Sequence, residues 1–543
     1  MRKMDYLGAS IDVSRNSVLT LEEIKRFIDV LPKMGYNGFT LYNEDLYELR
    51  EYPMFGYMRG KYSIEELKGL AEYAESKGIT PIPTIEVLAH LQHIFRWREF
   101  AEVRDNDDIL LADEPKTYEF IECMIKTMRE IYKNAKYIFL GCDEALKLGL
   151  GKYLKKHGYT DPKVILKNHL EKCVAIAHKY GFTPKLSGDM FFSLAGQQYT
   201  DNPEIITPEI ASMFPKGAIF GYWDYFSHRK TIKNMITACK RFGAPVAFTA
   251  SVHSWNGFSA PNMRSIASNL ESLPVCVEED IQIINVTFWG DDGGECSVWS
   301  CLPAWFFCAR TALGETDIEK IKTDFYELFK IKFDDFCKLD YPKDYTGDTA
   351  RFFSEKTSVF NDPFMGICDD MMVNGEEVRA RFEAHANELF ELTKTTGEFS
   401  YLFDAAAKLC SLQAVKYDLG VRTRAAYKSG DKEALKTVAD DYIVAHDRAA
   451  KFYESFKHVW LKERKANGFE VQTIRYGGLM RRLLDCHERL LAFINGEIES
   501  IPELQEEIKS LKNDSKHVFN EETKYGRIVT VNSLTHYNFY GNG

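Results

Sequence analysis

Two acidic residues stand side by side after a short apolar segment in the middle of the chain. The segment "YIFLG" is followed by Cys142 and then by Asp143 and Glu144. Neighbouring carboxylates repel each other, and this repulsion keeps one of them protonated near neutral pH. A glycosidase needs one protonated carboxyl group for the leaving oxygen and one ionised partner. The pair therefore indicates acid–base chemistry on a glycosidic bond; the alternative is that one acid turns away into a salt bridge.

For both acids to reach one ligand, the chain must turn sharply at the end of the strand that precedes them. Adjacent residues on a straight strand point to opposite faces, so both acids reach one ligand only if the strand ends there, and Gly141 permits such a turn. Eight apolar segments alternate with amphipathic helices over the first three hundred residues. The predicted strands are residues 6–12, 38–42, 79–86, 136–141, 183–189, 218–223, 245–250 and 283–289.

Eight strand–helix units in succession predict an α/β fold of the (β/α)8 TIM barrel type, rather than a doubly wound open sheet. The strand pattern stops near residue 315, and the following sequence has helical periodicity. We therefore predict a catalytic barrel over residues 1–330 and an all-α C-terminal domain over residues 331–543. This second domain packs on the barrel or forms a dimer contact.

The ends of the predicted strands are rich in acids and tryptophans. In a (β/α)8 barrel the chemistry lies at the carboxyl ends of the strands. The polar and aromatic residues there are Asp12, Arg15, Glu44, Asp45, Glu86, His90, Asp143, Glu144, Asp189, Trp223, Asp224, His253, Trp255, Trp289, Asp291, Asp292 and Glu295. Sugar hydroxyl groups suit carboxylates, and the C–H faces of a sugar suit indole rings.

Several of these residues have an alternative interpretation. The acids together with His90 could form an oxygen-rich site for a divalent metal, although the chain has no His-x-His or HExxH cluster. Arg15 could form an ion pair at the rim of the barrel. His90 could be a structural histidine, and Glu86 could cap the following turn. Residue types favour a sugar over a metal, so we expect no metal and no cofactor.

Composition excludes some classes of protein. The chain has 543 residues, of which 45% are hydrophobic and 27% are charged, and its formal net charge is −11. That charge argues against a nucleic-acid partner. Twelve cysteines without a CxxC pair indicate reduced thiols. No apolar signal segment and no run of about 18 apolar residues is visible, so we expect a cytoplasmic protein without membrane contact.

The motifs, taken in order, resemble those of glycoside hydrolase family 20, the β-N-acetylhexosaminidases. The segment "LGCDEALKLGLGKYL" is similar to the Asp-Glu motif of that family. Further similar segments are "SIDVSRN", "LYNEDLYEL", "TIEVLAHLQHIFRW", "GDMFF", "YWDYF", "WGDDGGE", "VKYDLGVRTRAAY" and "WLKERKANGFE". The chain is most similar to a cytoplasmic bacterial exo-β-N-acetylglucosaminidase/galactosaminidase branch.

The resemblance implies a retaining, substrate-assisted mechanism, in which the 2-acetamido oxygen of the sugar attacks C1 and forms an oxazolinium intermediate. It implies that Asp143 orients the acetamido group and that Glu144 is the general acid and then the general base. The substrate-binding residues that it implies are Arg15, Glu44, Asp45, His90, Tyr222, Trp223, Trp255, Trp289, Asp292 and Glu295.

Three features depart from the pattern of the family. Members of this branch begin with a small domain of mixed helix and strand, whereas here the first predicted strand begins at residue 6. Ser187 in "KLSGDMFF" stands where a tryptophan usually walls the acetamido pocket. A Tyr-x-Asp pair after the seventh strand is not evident, and Tyr222 or Tyr225 is expected to supply that hydroxyl group.

The sequence therefore predicts an exo-acting enzyme that removes terminal β-linked GlcNAc or GalNAc from an oligosaccharide or glycan. Two alternatives stay open. One is a glycosidase for a modified hexosamine, such as a sulfated or de-N-acetylated one. The other is a non-catalytic sugar-binding barrel. A homodimer through the helical domain is a further hypothesis.

Overall fold

The computed structural model describes residues 2–197, 199–351 and 354–509, and only the backbone of Asn256 and Asp292. Nine parallel strand segments alternate with helices in the first part of the chain. They are β1 (Tyr6–Asp12), β2 (Gly38–Tyr42), β3 (Thr80–Pro81), β4 (Thr84–Glu86), β5 (Tyr137–Gly141), β6 (Thr183–Ser187), β7 (Ile219–Trp223), β8 (Val246–Ser251) and β9 (Ile283–Phe288).

The strands form a closed barrel. Their order is β3-β2-β1-β9-β8-β7-β6-β5-β4, so the first strand pairs with the last, from Tyr6 opposite Ile283 onward. The two ends of this order, β3 and β4, belong to one stretch of chain. The same stretch therefore borders β2 on one side and β5 on the other, which closes eight strands into a ring. The predicted (β/α)8 fold is confirmed.

The third strand is interrupted, whereas the sequence predicted one strand over residues 79–86. Pro81 and Pro83 have no N–H to donate, so a continuous ladder cannot form there. Between them, the Ile82 N–H donates to the Phe39 carbonyl oxygen at 2.9 Å. The Pro83 carbonyl oxygen then accepts from the Phe139 N–H at 2.9 Å, so pairing passes from β2 to β5 at this point.

Helices of the barrel region surround the strands. They are α1 (Leu21–Met34), α2 (Ile64–Ser76), α3 (Pro115–Ile131), α4 (Lys152–His157), α5 (Pro162–Lys179), α6 (Asp189–Leu194), α7 (Pro208–Ala211), α8 (Arg229–Lys240), α9 (Asn262–Glu278), α10 (Leu302–Ala312) and α11 (Ile318–Phe329). Ser63 and Glu66 form a capping box at the start of α2. Among the described residues, no helix has the length and apolar character needed to cross a bilayer.

The rest of the described chain is helical, as predicted. Its helices are α12 (Phe333–Cys337), α13 (Glu355–Phe360), α14 (Gly375–Leu392), α15 (Ser400–Lys416), α16 (Leu419–Ser429), α17 (Lys432–Glu463), α18 (Phe469–Ile494) and α19 (Pro502–Gln505). They bury a second apolar cluster, separate from the large core between strands and helices of the barrel. The end of the predicted helical domain, residues 510–543, lies outside the described residues.

The helical region packs against the barrel through the turn between α17 and α18. The Thr20 N–H donates to the Glu463 carbonyl oxygen at 3.0 Å, and the Lys465 N–H donates to the Val18 carbonyl oxygen at 2.8 Å. The Glu463 carboxylate also accepts from the Ser297 hydroxyl at 2.6 Å. This turn therefore supports the two loops that follow β1 and β9.

Candidate active site

A cavity of about 370 Å³ opens at the carboxyl ends of the strands. Every strand segment except β3 contributes at least one residue to the lining of this cavity. Its polar lining includes Ser10, Arg15, Thr40, Thr84, Glu86, His90, Asp143, Glu144, Lys185, Ser187, Thr249, Asn285, Thr287 and Asp291. Its aromatic lining is Tyr42, Phe139, Tyr199, Trp223, Tyr225, Phe226, Trp255 and Trp289.

The adjacent acids both line this cavity because the chain turns between them and the end of β5. Glu144 adopts a left-handed conformation with φ of 53°, an uncommon backbone state for this residue type. Its N–H donates to the Asp189 carboxylate at 2.9 Å, which holds the turn. Gly141 has a different role from the one expected. A Cβ atom there would lie 2.0 Å from the Glu86 carboxylate, so the glycine makes room for Glu86.

His90 stands between the two acids. Its Nε2 atom lies 3.6 Å from Asp143 Oδ2 and 3.7 Å from Glu144 Oε2. These distances correspond to ion pairs that are too long for good hydrogen bonds. Burial lowers the pKa of His90, but the Asp143 and Glu86 carboxylates outweigh it and raise that pKa well above its usual value. The neighbouring carboxylates therefore favour the protonated, cationic form of the imidazole.

The two neighbouring acids differ in their affinity for a proton. Burial favours a higher pKa for Asp143, but the His90 cation and a hydrogen bond from Ser187 bring the pKa below its usual value. Burial and the Asp143 charge raise the pKa of Glu144, against the opposing effect of His90. The Glu144 side chain is 55% exposed, so solvent screens part of this effect. Asp143 is thus the carboxylate, and Glu144 is the acid that keeps a proton more readily.

Arg15 lies at one side of the cavity, 7% exposed, among three acids. Its Nη2 atom is 3.1 Å from Glu44 Oε1 and 3.7 Å from Asp291 Oδ1. Burial raises the pKa of Glu44 to about 7, although Arg15 and His90 lower it. Asp12 supports this arrangement, because it accepts from the N–H of Gly290 at 2.9 Å and so joins the loops after β1 and β9.

An aromatic wall borders the cavity on the side of β7, β8 and β9. The indole N–H of Trp289 donates to the Tyr225 hydroxyl at 2.8 Å. Trp223 and Tyr225 stack with ring centroids 5.4 Å apart and an interplanar angle of 25°. Trp255 packs on Tyr225 with centroids 5.6 Å apart. The buried Nε1 atom of Trp223 has no hydrogen-bond acceptor among the described residues.

Several predicted site residues lie away from the cavity. Asp45 is buried and forms an ion pair with Arg59. The Tyr222 hydroxyl donates to Asp224 Oδ2 at 2.6 Å, on the outer face of β7, whereas Tyr225 lines the cavity. The side chain of Asp292 is outside the described part of the structure.

Glu295 also lies away from the cavity, in the contact between the barrel and the helical region. Its Oε1 atom accepts from Arg475 Nη1 at 2.9 Å and from Gln472 Nε2 at 3.0 Å. Its Oε2 atom forms an ion pair with Lys356. This location could not be predicted from the strand pattern, because Gly293 and Gly294 turn the chain with φ of 112° and 59° just before the glutamate.

Several lining residues, Lys185 and Tyr199 among them, were absent from the predicted candidates. The location of Lys185 could have been predicted from strand alternation. Residues two apart on β6 share a face, and Ser187 points into the cavity. Tyr199 packs edge-on against Trp223 with centroids 5.9 Å apart. It lies between β6 and β7 outside any helix or strand, so no periodic pattern could have indicated it.

The fold and the cavity define a class of protein. Acids of unlike proton affinity beside an aromatic wall, at the mouth of a (β/α)8 barrel, are typical of glycoside hydrolases. Across the described ranges, no three His, Cys, Asp or Glu side chains come together as a metal site requires.

Comparison with known families agrees with this class. The glycosyl hydrolase family 20 catalytic domain matches residues 4–181, and the Glycoside Hydrolase 20C C-terminal domain matches residues 334–522. Together they cover more than half of the chain. The chain belongs to glycoside hydrolase family 20, which confirms the resemblance seen in the sequence motifs.

Similar proteins are hexosaminidases. Hexosaminidase D of Homo sapiens is 23% identical over 245 residues, which are 42% of this chain and 47% of that protein. Beta-hexosaminidase of Vibrio furnissii is 26% identical over 211 residues, 31% of this chain and 34% of that protein. The matched region thus spans about half, or less, of the length of these curated relatives.

Two solved structures are similar to the chain at low identity. The exo β-N-acetylglucosaminidase of Vibrio harveyi, in complex with N-acetylglucosamine, is 17% identical with a TM-score of 0.46, covering 60% of this chain and 58% of that one. A chitobiase of Flavobacterium johnsoniae is 16% identical with a TM-score of 0.45, covering 84% of this chain and 78% of that one.

Proposed function

We propose that this protein hydrolyses terminal β-linked N-acetylhexosamines from the non-reducing end of a glycan, with retention of configuration and with help from the acetamido group of the substrate. The observation that carries the proposal is the set of Asp143, Glu144 and His90, which converge on one cavity. Membership of family 20 and the hexosaminidase names of the curated relatives support it.

The proposed reaction assigns separate tasks to the two acids. Asp143 accepts a hydrogen bond from the acetamido N–H, so that the acetamido oxygen faces C1 of the sugar. As this oxygen bonds to C1, the C1–O bond to the aglycone breaks, and Glu144 gives its proton to the leaving oxygen. Glu144 then removes a proton from water, the water oxygen bonds to C1, and the oxazolinium ring opens. Two displacements at C1 retain the β configuration.

The charges near the two acids suit these tasks. The His90 cation lies 3.6 Å from Asp143 and keeps that carboxylate ionised. An ionised Asp143 stabilises the positive charge that develops on the oxazolinium ring. Arg15 lines the cavity and offers donors to the hydroxyl groups of the terminal sugar, and the buried Glu44 holds the guanidinium group in place.

The direct test uses 4-nitrophenyl glycosides of β-GlcNAc and β-GalNAc. The wild-type protein is expected to release nitrophenol from at least one of them. Glu144→Gln should reduce kcat by about 10²–10⁴-fold, the usual contribution of general acid–base catalysis. Glu209→Gln, on an exposed turn at the start of α7, is the matched control and should keep the wild-type rate. Equal rates in wild type and Glu144→Gln would contradict the assignment.

A modified hexosamine is a second candidate substrate, because Ser187 rather than a tryptophan lines the cavity beside Asp143. The third alternative, a non-catalytic sugar-binding barrel, predicts binding by calorimetry without turnover of any glycoside. Turnover that Glu144→Gln abolishes excludes this third alternative.

We also propose a reducing compartment, the cytoplasm, as the place of action. All twelve cysteines are free thiols and eleven of them are buried. Fractionation of cells that produce the protein tests this location. A homodimer stays a prediction, and sedimentation of the purified protein tests it.

A further inference from the structure

The floor of the cavity is polar where the core of a (β/α)8 barrel is usually filled by branched apolar side chains. Side chains from several strands contribute, and they lie below the catalytic acids. The polar floor residues are Ser10, Thr40, Thr84, Lys185, Thr249, Asn285 and Thr287. A polar floor continuous with the cavity is suited to a polar group of the ligand.

Lys185 is the cation of this floor. Its Nζ atom lies 4.1 Å from the ring centroid of Phe139 and 3.5 Å from the Thr249 hydroxyl oxygen. Within the described ranges, Lys185 forms no ion pair with a carboxylate oxygen within 4.0 Å. An ammonium group has three N–H donors, so a weak contact to Thr249 leaves donors for a group inside the cavity. Burial lowers the pKa of Lys185 to about 8, so most of the lysine is charged at neutral pH.

Ser187 connects this floor to the catalytic acids. It lies two residues after Lys185 on β6, so both side chains face the cavity, about 7 Å apart along the strand. A hydrogen bond from Ser187 contributes to the low pKa of Asp143. Asp143, Ser187 and Lys185 line the same cavity, and the small side chain of Ser187 leaves the space between the other two largely unfilled.

We propose that Ser187 and Lys185 form a subsite for a 2-N-acyl group that is longer than acetyl and ends in an oxygen acceptor. This inference rests on the proposed function, because there Asp143 holds the 2-acylamino group of the sugar. The carbon chain of the acyl group passes Ser187, and its terminal oxygen accepts from the ammonium group of Lys185. The substrate class is thus an N-acylated hexosamine with a hydroxylated acyl chain, such as N-glycolyl.

The test compares pairs of substrates with equal shape. The 4-nitrophenyl β-glucosaminides with N-glycolyl and N-propionyl groups differ only in a terminal hydroxyl or methyl group. N-(3-hydroxypropionyl) and N-butyryl form a second pair, one carbon longer. The measured quantity is the ratio of kcat/KM within each pair, for wild type and for Lys185→Met. The inductive effect of the hydroxyl group on the acyl oxygen is the same in both proteins and cancels.

The ratio is kcat/KM for the substrate with the terminal hydroxyl group divided by kcat/KM for its methyl counterpart. For at least one pair, we expect Lys185→Met to lower this ratio about tenfold or more, which is the effect of losing a hydrogen bond to a charged group. Lys185→Arg, which keeps the charge, should retain more of the ratio. Ser187→Trp should fill the space between Asp143 and Lys185 and lower kcat/KM for all four longer substrates relative to the N-acetyl substrate. Thermal unfolding shows whether each variant folds. Calorimetric binding of the corresponding free sugars provides the same comparison without turnover.

Unchanged ratios in both pairs upon Lys185→Met would overturn the subsite and leave Lys185 as a residue that only binds water in the floor. Rejection of every longer acyl group by a wild-type protein that hydrolyses the N-acetyl substrate would also overturn it. Failure of the proposed function looks different, since then no N-acyl substrate is hydrolysed, the N-acetyl one included.

Discussion

Two clusters of acids and cations follow strands of the same barrel, and they differ in how well their charges are paired. In the mouth, His90 lies 3.6 and 3.7 Å from the acids that it bridges. In the contact with the helical region, Glu295 accepts from Arg475 and Gln472 at 2.9 and 3.0 Å and pairs with Lys356. The first cluster opens into a cavity, and the second is sealed between two layers.

The difference shows what a buried charge does in each place. A buried carboxylate that is paired with several donors stabilises the fold and is not free to bind a ligand. Removal of one partner leaves an uncompensated charge. A carboxylate with loose contacts and a shifted pKa is available for a ligand and for proton transfer. In the sequence, both kinds of carboxylate are simply acids that follow a strand. Only their contacts in the structure distinguish them.

Substitution in the mouth should have the largest effect on catalysis. Asp143→Asn keeps the shape of the side chain and removes the charge that stabilises the oxazolinium ring. We expect kcat for the N-acetyl substrates to fall by about 10²–10³-fold, the usual loss for one preorganised electrostatic partner. Steady-state kinetics measure it, with an unfolding curve as the check on folding. An activity loss that matches only a loss of folded protein would assign Asp143 to the structure.

Substitution in the contact between barrel and helices should act on stability. Glu295→Gln removes the anion shared by Lys356 and Arg475 and should lower the free energy of unfolding by about 3–5 kcal/mol. Glu130 is the matched control, since it also pairs with two cations, Arg50 and Lys68, but on the surface. Glu130→Gln should cost about 0–1 kcal/mol. Urea unfolding measures both.

The catalytic constants of Glu295→Gln show whether this residue acts on stability alone or also on the sugar site. Per folded molecule, we expect kcat and KM to stay within about twofold of wild type, because Glu295 has no contact with the cavity. A large rise in KM without loss of stability would place Glu295 in the sugar site after all.

Removal of the His90 charge should shift the pH profile. His90 lowers the pKa of Asp143 and of Glu144, so its loss raises both. The acid limb of kcat/KM follows the ionisation of Asp143, and the alkaline limb follows the loss of the Glu144 proton. We therefore expect both limbs of His90→Gln to move to higher pH, by about one unit. Limbs that stay in place would show that His90 is neutral in the active protein.

Within the mouth of the barrel, the smallest effect is expected at Ser187. Ser187→Ala removes one hydrogen bond to Asp143, so the pKa of Asp143 rises and the acid limb moves to higher pH by less than in His90→Gln. The N-acetyl kcat/KM should fall about two- to tenfold, the range for one net hydrogen bond. Ser187→Thr keeps the hydroxyl group and should restore most of the loss. Identical profiles for Ala and Thr would exclude a role of this hydrogen bond.

Barrel topology explains why much of the fold and of the site could be predicted. β1 and β2 have the predicted bounds, because an apolar segment with a clear turn on either side has few alternatives. Parallel strands bring their carboxyl ends to one mouth, so Arg15, His90 and the Asp143–Glu144 pair come together although they are far apart in sequence.

The features of the site that could not be predicted depend on the direction of side chains beyond the strand ends. Trp223 lines the cavity and Tyr222 faces outward, as strand alternation requires, so the two side chains do not share one site. Glu295 follows two left-handed glycines, after which no alternation rule applies. The left-handed turn at Glu144 depends on its hydrogen bond to Asp189, a contact across 45 residues.

The most direct test of the central claim is the rate of hydrolysis for substrates whose acetamido group carries zero to three fluorine atoms. Fluorine withdraws electrons from the acetamido oxygen and weakens it as a nucleophile, while the leaving group stays the same. If the acetamido oxygen held by Asp143 attacks C1, kcat falls steeply with each added fluorine. A kcat that does not depend on fluorine would contradict this role of Asp143 and of the acetamido group.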